Sequence, residues 1–393
     1  MSHPASIPRL EIIGLAQGGE GIARLDGQAW FVPFAYPGDT VSAQPIARHR
    51  SWGRALPTRV HRPSPHRQPF IGGADAPEQA YLWGCFDYAG QSAWKPRLAA
   101  ETLRRIGGIL VEPDFIPAPE SLRLGWRDRC TFHPDPQGRP AYYLWHTHRA
   151  EPVRRCPLAG PHVNRALENL AETGISGPVT VTAHPETGET LIWCADKDRQ
   201  RLADRLPYPV NSPRNGQPAA RFMMDGVPVV NGAFCQSSLL LNRILRDAVS
   251  RAVGDAQTIL DCYCGNGNLT LDLARRAAVT GFDICPSAVE AARSVSAGDY
   301  RVGSEPDMAR ALDSTDFDAV VLDPPRTGAR QLASALAGCR ARRIVWASCD
   351  AATLARDLRT VLAGGWNLVA CTVIDLFPYT PHAEMLCVLE RPS

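Results

Sequence analysis

One stretch constrains the fold of this chain more than any other: Thr258-Ile-Leu-Asp-Cys-Tyr-Cys-Gly-Asn-Gly-Asn-Leu-Thr270. Ile259 and Leu260 read as the end of a buried strand. Asp261 closes it, and Gly265 and Gly267 let the backbone turn tightly against a ligand. From Leu269 to Arg276 the apolar residues recur at helical spacing, which places the loop between a strand and a helix. In doubly wound sheets a nucleotide-like ligand binds there, beyond the carboxyl end of the first strand. Taken alone, the pattern fits an ordinary glycine turn equally well.

The 393 residues suggest two or three domains, and 45% hydrophobic with 21% charged residues describes a globular protein with ample core. The apolar runs are too short for a membrane span and no apolar leader follows Met1, so a cytoplasmic protein is expected. The net charge of +2 excludes no partner; its distribution matters more. Lysine occurs only at Lys95 and Lys197, among many arginines. The twelve cysteines are scattered, with no CxxC pair, and read as reduced, mostly buried thiols.

Residues 1–62 carry short strand-like runs at 10–16, 21–26 and 28–35, with a fourth from Asp39. Turn signals separate them, and Asp26-Gly27 is a hairpin candidate. Such spacing suggests a small OB-like β-barrel. Its far end is basic, from Arg48 to Arg67, with Trp52 among the charges, which suits a nucleic-acid backbone and a stacked base as well as it suits a solvated surface. Gly14–Ala23 and Val32–Asp39 resemble a TRAM domain, a small RNA-binding barrel, over residues 8–62.

Residues 63–235 read as a central α+β domain. A loop at 63–80 precedes a helix from Asp87 to Ile106, ended by Gly107-Gly108. Strands follow around the Asp135–Gly138 turn, then a helix near Val163–Ala171, strands near 178–195 and a polar loop at 207–220. Nothing in this part specifies chemistry.

From 236 to 393 strands and helices alternate: a helix at Leu239–Val253, the opening strand and loop, Val279–Asp283, a helix at Pro286–Val295, then strands at Tyr300–Gly303, Asp318–Leu322 and Ile344–Cys349. A helix at Ala351–Leu362 and two strands, Leu368–Leu376 and Met385–Leu389, complete it. This is the order of a Rossmann-like methyltransferase sheet with a hairpin-like pair at its C-terminal edge. Asp283, ending the second strand, is placed to accept hydrogen bonds from a ribose diol. Phe234-Cys-Gln236, Asp261–Asn268, Asp323-Pro-Pro-Arg-Thr-Gly328, Ser348-Cys349 with Ala352–Asp357, and Asp375–Glu384 together resemble the RNA uridine-5-methyltransferase family.

That resemblance implies S-adenosylmethionine as cofactor, held by Gln236, Asp261, Gly265, Asp283 and Asp323, and RNA as substrate. It implies Cys349 as the nucleophile that adds to uracil C6 and Glu384 as the base that removes the C5 proton. Cys349 ends a strand before a helix, where amide dipoles lower a thiol pKa. Arg326 suits an RNA phosphate or the target base, or a surface ion pair. The barrel points to 23S rRNA rather than tRNA, and a monomer is the default.

Three departures from the family stand out. Residues 63–84 lack the cysteines that hold a [4Fe–4S] cluster in many members, leaving only Cys156 near the fourth position, so no iron–sulfur cluster and no metal are expected. Asp350 replaces the usual asparagine after the nucleophile, and its charge opposes thiol ionisation while still capping the helix. Ser304 replaces an aspartate on the adenine side. These changes motivate a rival reading, an RNA-binding or ribosome-assembly protein with weakened catalysis. A third, methylation of an exocyclic nitrogen, needs neither Cys349 nor Glu384.

Overall fold

The computed structural model describes residues 6–214 and 219–391. The polar loop expected at 207–220 lies partly outside them.

The first six strands are Ile7–Glu11, Gly14–Leu15, Gly21–Leu25, Gln28–Val32, Thr40–Arg48 and Trp52–Arg62. The chain bends between the first two. Leu10 pairs with Val41, whereas Ile13 N donates to Ile22 O at 2.8 Å and Gly14 pairs with Ile22. One segment thereby joins both ends of the sheet and closes the barrel, around Leu10, Ile12, Trp30, Val32 and Val41. Asp26 and Gly27 both take positive φ, as a two-residue hairpin turn requires. The basic stretch contains the longest strand of the barrel, Trp52–Arg62, which pairs antiparallel with Thr40–Arg48 and is solvent-exposed from Thr58 onward.

A second six-stranded sheet runs Ala150–Pro152, Pro140–Tyr143, Arg129–Pro134, Val179–Ala183, Thr190–Cys194, Val210–Asn211. Helix Pro161–Thr173 covers it with Val163, Leu167 and Leu170. Helix Asp196–Arg205 escaped sequence reading because its stretch, DKDRQRLADR, buries only Asp198 and Leu202 and so shows no apolar periodicity. Helix Tyr88–Thr102 continues into a wider turn and stops at Gly108.

The third sheet has eight strands, in the order Asp299–Val302, Ala278–Asp283, Thr258–Cys262, Ala319–Leu322, Arg343–Ser348, Glu384–Glu390, Asn367–Ile374, Asp114–Ile116. Its first five strands are parallel, and Glu384–Glu390 runs against both neighbours. Ile259 and Val345 pack on one face and Leu260, Val320 and Trp346 on the other, which is why these strands read as continuous apolar runs.

Two expectations are corrected. The C-terminal pair is not the sheet edge, because Asp114–Ile116 from the middle of the chain adds in parallel outside it. The helix expected over 269–276 is instead a series of turns ending in a short 3₁₀ segment, Leu273–Arg275. Its backbone bonds alternate between three- and four-residue spans, such as Thr270 N to Gly267 O and Ala274 N to Thr270 O. Among the described residues, no helix is long and apolar enough to cross a membrane.

Candidate active site

Because the strands are parallel, their carboxyl ends share one edge. Asp261 and Asp283 lie at the ends of their strands, and Asp323 and Cys349 directly follow theirs. Glu384 opens the antiparallel strand, so its amino end arrives at the same edge. Ser348 pairs with Met385, and Cys349 and Glu384 each adjoin that last pair. The topology thus gathers residues dispersed over more than a hundred positions.

On the glycine-loop side, Gly265 N donates to Asp283 Oδ2 at 2.9 Å and Cys285 N to Oδ1 at 2.8 Å, tying the loop to the second strand. Each carboxylate oxygen keeps a second lone pair. Gly265 has φ of 52°, and a Cβ built there meets nothing within 4 Å, so the loop borders open space. Phe234 and Ile284 are 72% and 74% exposed beside Gln236 and Asp283, apolar surfaces of the sort that cover a purine. Asp261, by contrast, is buried, and Thr270 Oγ1 donates to it while bonding Tyr300 Oη at 3.1 Å. Burial, with the charges of Asp283 and Asp323, pushes its carboxyl up to about 7 despite Thr270. Thr270 and Tyr300 were not singled out from the sequence, where no motif marks them.

Around the thiol the charges are mainly acidic. Gln236 Nε2 donates to Asp323 Oδ2 at 3.2 Å; burial still raises that carboxyl to about 6. Glu384 is 1% exposed, and its Oε1 has no partner. Burial, then the Asp323 charge, holds it well above the usual carboxylate range. The expected lowering of the Cys349 pKa is reversed. Burial, Glu384 and Asp323 push it up to about 11, against the opposing charge and hydrogen bond of Arg326. Desolvation and two nearby acids outweigh the guanidinium of Arg326. Arg326, itself exposed, turns its guanidinium to the thiol. His382, desolvated and near Arg326, Arg127 and Lys95, is held down at about 4 and stays neutral.

The loop carrying Asp323 and Arg326 is braced from helix Ala351–Ala363. Asp357 Oδ2 accepts from Ala329 N at 2.8 Å, and Arg356 donates to Thr327 O at 2.9 Å. Asp350 caps that helix, its Oδ1 accepting from Ala352 N at 3.0 Å and Thr353 N at 2.8 Å. Ser304 likewise caps helix Glu305–Ser314, and its hydroxyl and amide donate to Asp307 at 2.9 and 2.8 Å. Among the described residues, no cluster of three or more His, Cys, Asp or Glu is disposed to hold a metal ion. Cys156 packs into the core near Cys130 and Phe132.

Away from this edge, the barrel surface carries an aromatic and basic array. His49 stacks on Trp52 at 4.1 Å, and Arg54 lies over both Trp52 (5.8 Å) and Trp145 of the central sheet region (5.5 Å).

The fold and this edge together define a Rossmann-like methyltransferase. Family models agree in detail: a methyltransferase domain over residues 259–342, tRNA (Uracil-5-)-methyltransferase over 308–392, and a TRAM domain over 6–44. An uncharacterised RNA methyltransferase of Gloeobacter violaceus is 30% identical, covering 97% of this chain and 95% of its own. The 23S rRNA (uracil(1939)-C(5))-methyltransferase RlmD of Alkalilimnicola ehrlichii is also 30% identical, over 98% and 96%. The structure of Pyrococcus abyssi tRNA (uracil-54, C5)-methyltransferase matches with a TM-score of 0.77 at 23% identity, covering 97% and 99%. The chain belongs to the RNA uracil-5-methyltransferase family.

Proposed function

We propose that this protein methylates C5 of a uridine in 23S rRNA, with S-adenosylmethionine as methyl donor and no iron–sulfur cluster. The observation that carries the reading is that Cys349 and Glu384 adjoin the Ser348–Met385 pair at one sheet edge, where the charges of Glu384 and Asp323 act on the thiol. Uracil C5 is a weak nucleophile. A thiolate adding to C6 moves an electron pair onto C5, which then takes the methyl group. The Glu384 carboxylate removes the remaining C5 proton, the C5–C6 double bond re-forms, and the Cys349 thiolate leaves.

Asp283 is assigned to the cofactor ribose, with Gly265 and the buried Asp261 shaping the loop and Gln236 and Asp323 lining the reacting side. S-Adenosylmethionine supplies the methyl group and, being a cation, favours the ionised forms of nearby carboxyls. Arg326 stabilises the thiolate. Because C6 must be approached from the face of the ring, the target uridine is flipped out of its stack. RNA is held along the face bearing Trp52, His49 and Trp145, where rings stack bases, with Arg54 held between the tryptophans by its ion pair to Glu20.

The test is RNA carrying 5-fluorouridine at the target, since fluorine at C5 cannot leave as a proton would. With donor present, a stable covalent adduct forms, and Cys349→Ala abolishes it. Transfer RNA offered in parallel distinguishes the substrate class. Binding of donor without an adduct on any cellular RNA would favour the catalytically weakened rival.

A further inference from the structure

The segment that delivers Glu384 to the thiol runs from Asp375 to Ala383, between the last two strands in sequence, and is held from below by helix Tyr88–Thr102. Lys95 Nζ donates to Asp375 Oδ1 at 2.6 Å and to Phe377 O at 3.0 Å, with the Lys95 and Asp375 side chains fully buried. Asp375 Oδ1 also accepts from Phe377 N at 3.1 Å. One helical turn before Lys95, Gln91 Oε1 accepts from Tyr379 N at 2.7 Å, and its Nε2 donates to Phe86 O at 2.6 Å. Trp126 Nε1 donates to Pro378 O at 3.1 Å. Three consecutive residues of the segment therefore find their backbone partners on side chains from the middle of the chain. Tyr379 takes a φ of 60°, a conformation that such surroundings must enforce.

The sequence adds an independent observation. Only two lysines remain in a chain otherwise supplied with arginine, and one is Lys95. A compact ammonium with three donors meets a carboxylate and a carbonyl in a fully buried position. A buried ion pair adds little net stability but does select one arrangement of the chain. Glu384 needs such selection, because its carboxyl must face a single carbon and Oε1 has no protein partner of its own.

We infer that Lys95, with Asp375 and Gln91, is a positioning residue for the proton-removal step, acting on Glu384 through segment 375–383. The inference rests on the function proposed above. Cysteine addition and methyl transfer do not need the base; release of the RNA does. Misplacing Glu384 therefore leaves a methylated RNA joined to Cys349 through C6.

The test uses the full chain with Lys95→Met/Asp375→Asn, a pair that leaves no buried charge unmatched, and Gln91→Leu as a second variant should the first not fold. Each is given uridine RNA and methyl-labelled donor, with Glu384→Gln as reference. The expected result is turnover reduced by about tenfold or more, label retained in a protein–RNA adduct as with Glu384→Gln, and adduct formation on 5-fluorouridine RNA within about threefold of wild type. Wild-type turnover in both variants, or loss of turnover and of fluorouridine adduct together with no labelled adduct, would overturn the inference. A wild-type protein that makes neither 5-methyluridine nor an adduct would instead overturn the proposed function.

Discussion

Cys349 and Glu384 each adjoin the last residue pair of two antiparallel strands, Ser348 and Met385, and the Glu384 charge acts on the Cys349 thiol. Strand register therefore brings the proposed nucleophile and the proposed base to one edge of the sheet. A register slip of one residue would turn Glu384 to the other side of the sheet.

The thiol sets the pH dependence. A cysteine held up at about 11 is un-ionised at neutral pH, and its thiolate fraction rises tenfold per pH unit below that value. The logarithm of kcat/KM should climb with a slope of about one from neutrality to about pH 9. Arg326→Gln should lower the rate at about pH 7.5 by roughly tenfold and move the curve to higher pH. A wild-type plateau below about pH 8 would refute this ordering of charges.

Asp261 should cost stability at neutral pH. Its folded pKa is raised to about 7 by burial, so its contribution is most favourable below the unfolded aspartate value and is lost as pH rises through about 7. Asp261→Asn removes the ionisation and should stabilise the protein at about pH 8 by roughly 2–4 kcal/mol. The gain should vanish near pH 4. Denaturant unfolding at the two pH values reads the difference directly.

At Gly328 the turn after Asp323-Pro-Pro has φ of 78°, and a Cβ would collide with Asp357 Oδ2. Gly328→Ala should destabilise the protein by about 2–4 kcal/mol through the left-handed backbone and the collision with a buried carboxylate. Activity should fall further, because Arg326 sits on the same loop. An unchanged unfolding midpoint would show that the brace from Asp357 yields.

Asp350 caps helix Ala351–Ala363 through Oδ1. Asp350→Asn should leave kcat/KM within about threefold and stability within about 0.5 kcal/mol, since asparagine caps as well. Asp350→Ala should cost about 1 kcal/mol. A large activation by asparagine would mean that the aspartate charge does reach Cys349.

Trp52 and Trp145 flank Arg54. If bases stack there, Trp52→Ala or Trp145→Ala should each weaken RNA binding by about 1–3 kcal/mol while leaving donor binding intact. Quenching of tryptophan fluorescence by RNA in the wild type, reduced in each variant, is the direct check.

Whereas the helices Glu305–Ser314 and Leu332–Gly338 were not read from the sequence, strand order in the last third was legible because buried parallel strands are short apolar runs and their ends are marked by Asp261, Asp283, Asp323 and Cys349. The hairpin at Asp26-Gly27 and the stop at Gly107-Gly108 were legible for the same reason, since local chemistry alone dictates them. Other features depend on partners far away in the chain. Asp114–Ile116 is too short to show a period and becomes a strand only by adding to Asn367–Ile374. Thr270 and Tyr300 matter only because they meet over Asp261.

The amino-acid order by itself determined the motifs, their sequence along the chain and the turns between them, all of which arise from neighbouring residues. Tertiary structure alone decided the electrostatics. Desolvation and the charges of Asp323 and Glu384 depend on distances across strands, so they reversed the thiol pKa that the helix terminus had suggested. It also decided that Lys95 pairs with Asp375, 280 residues further along the chain, a contact that local sequence cannot show.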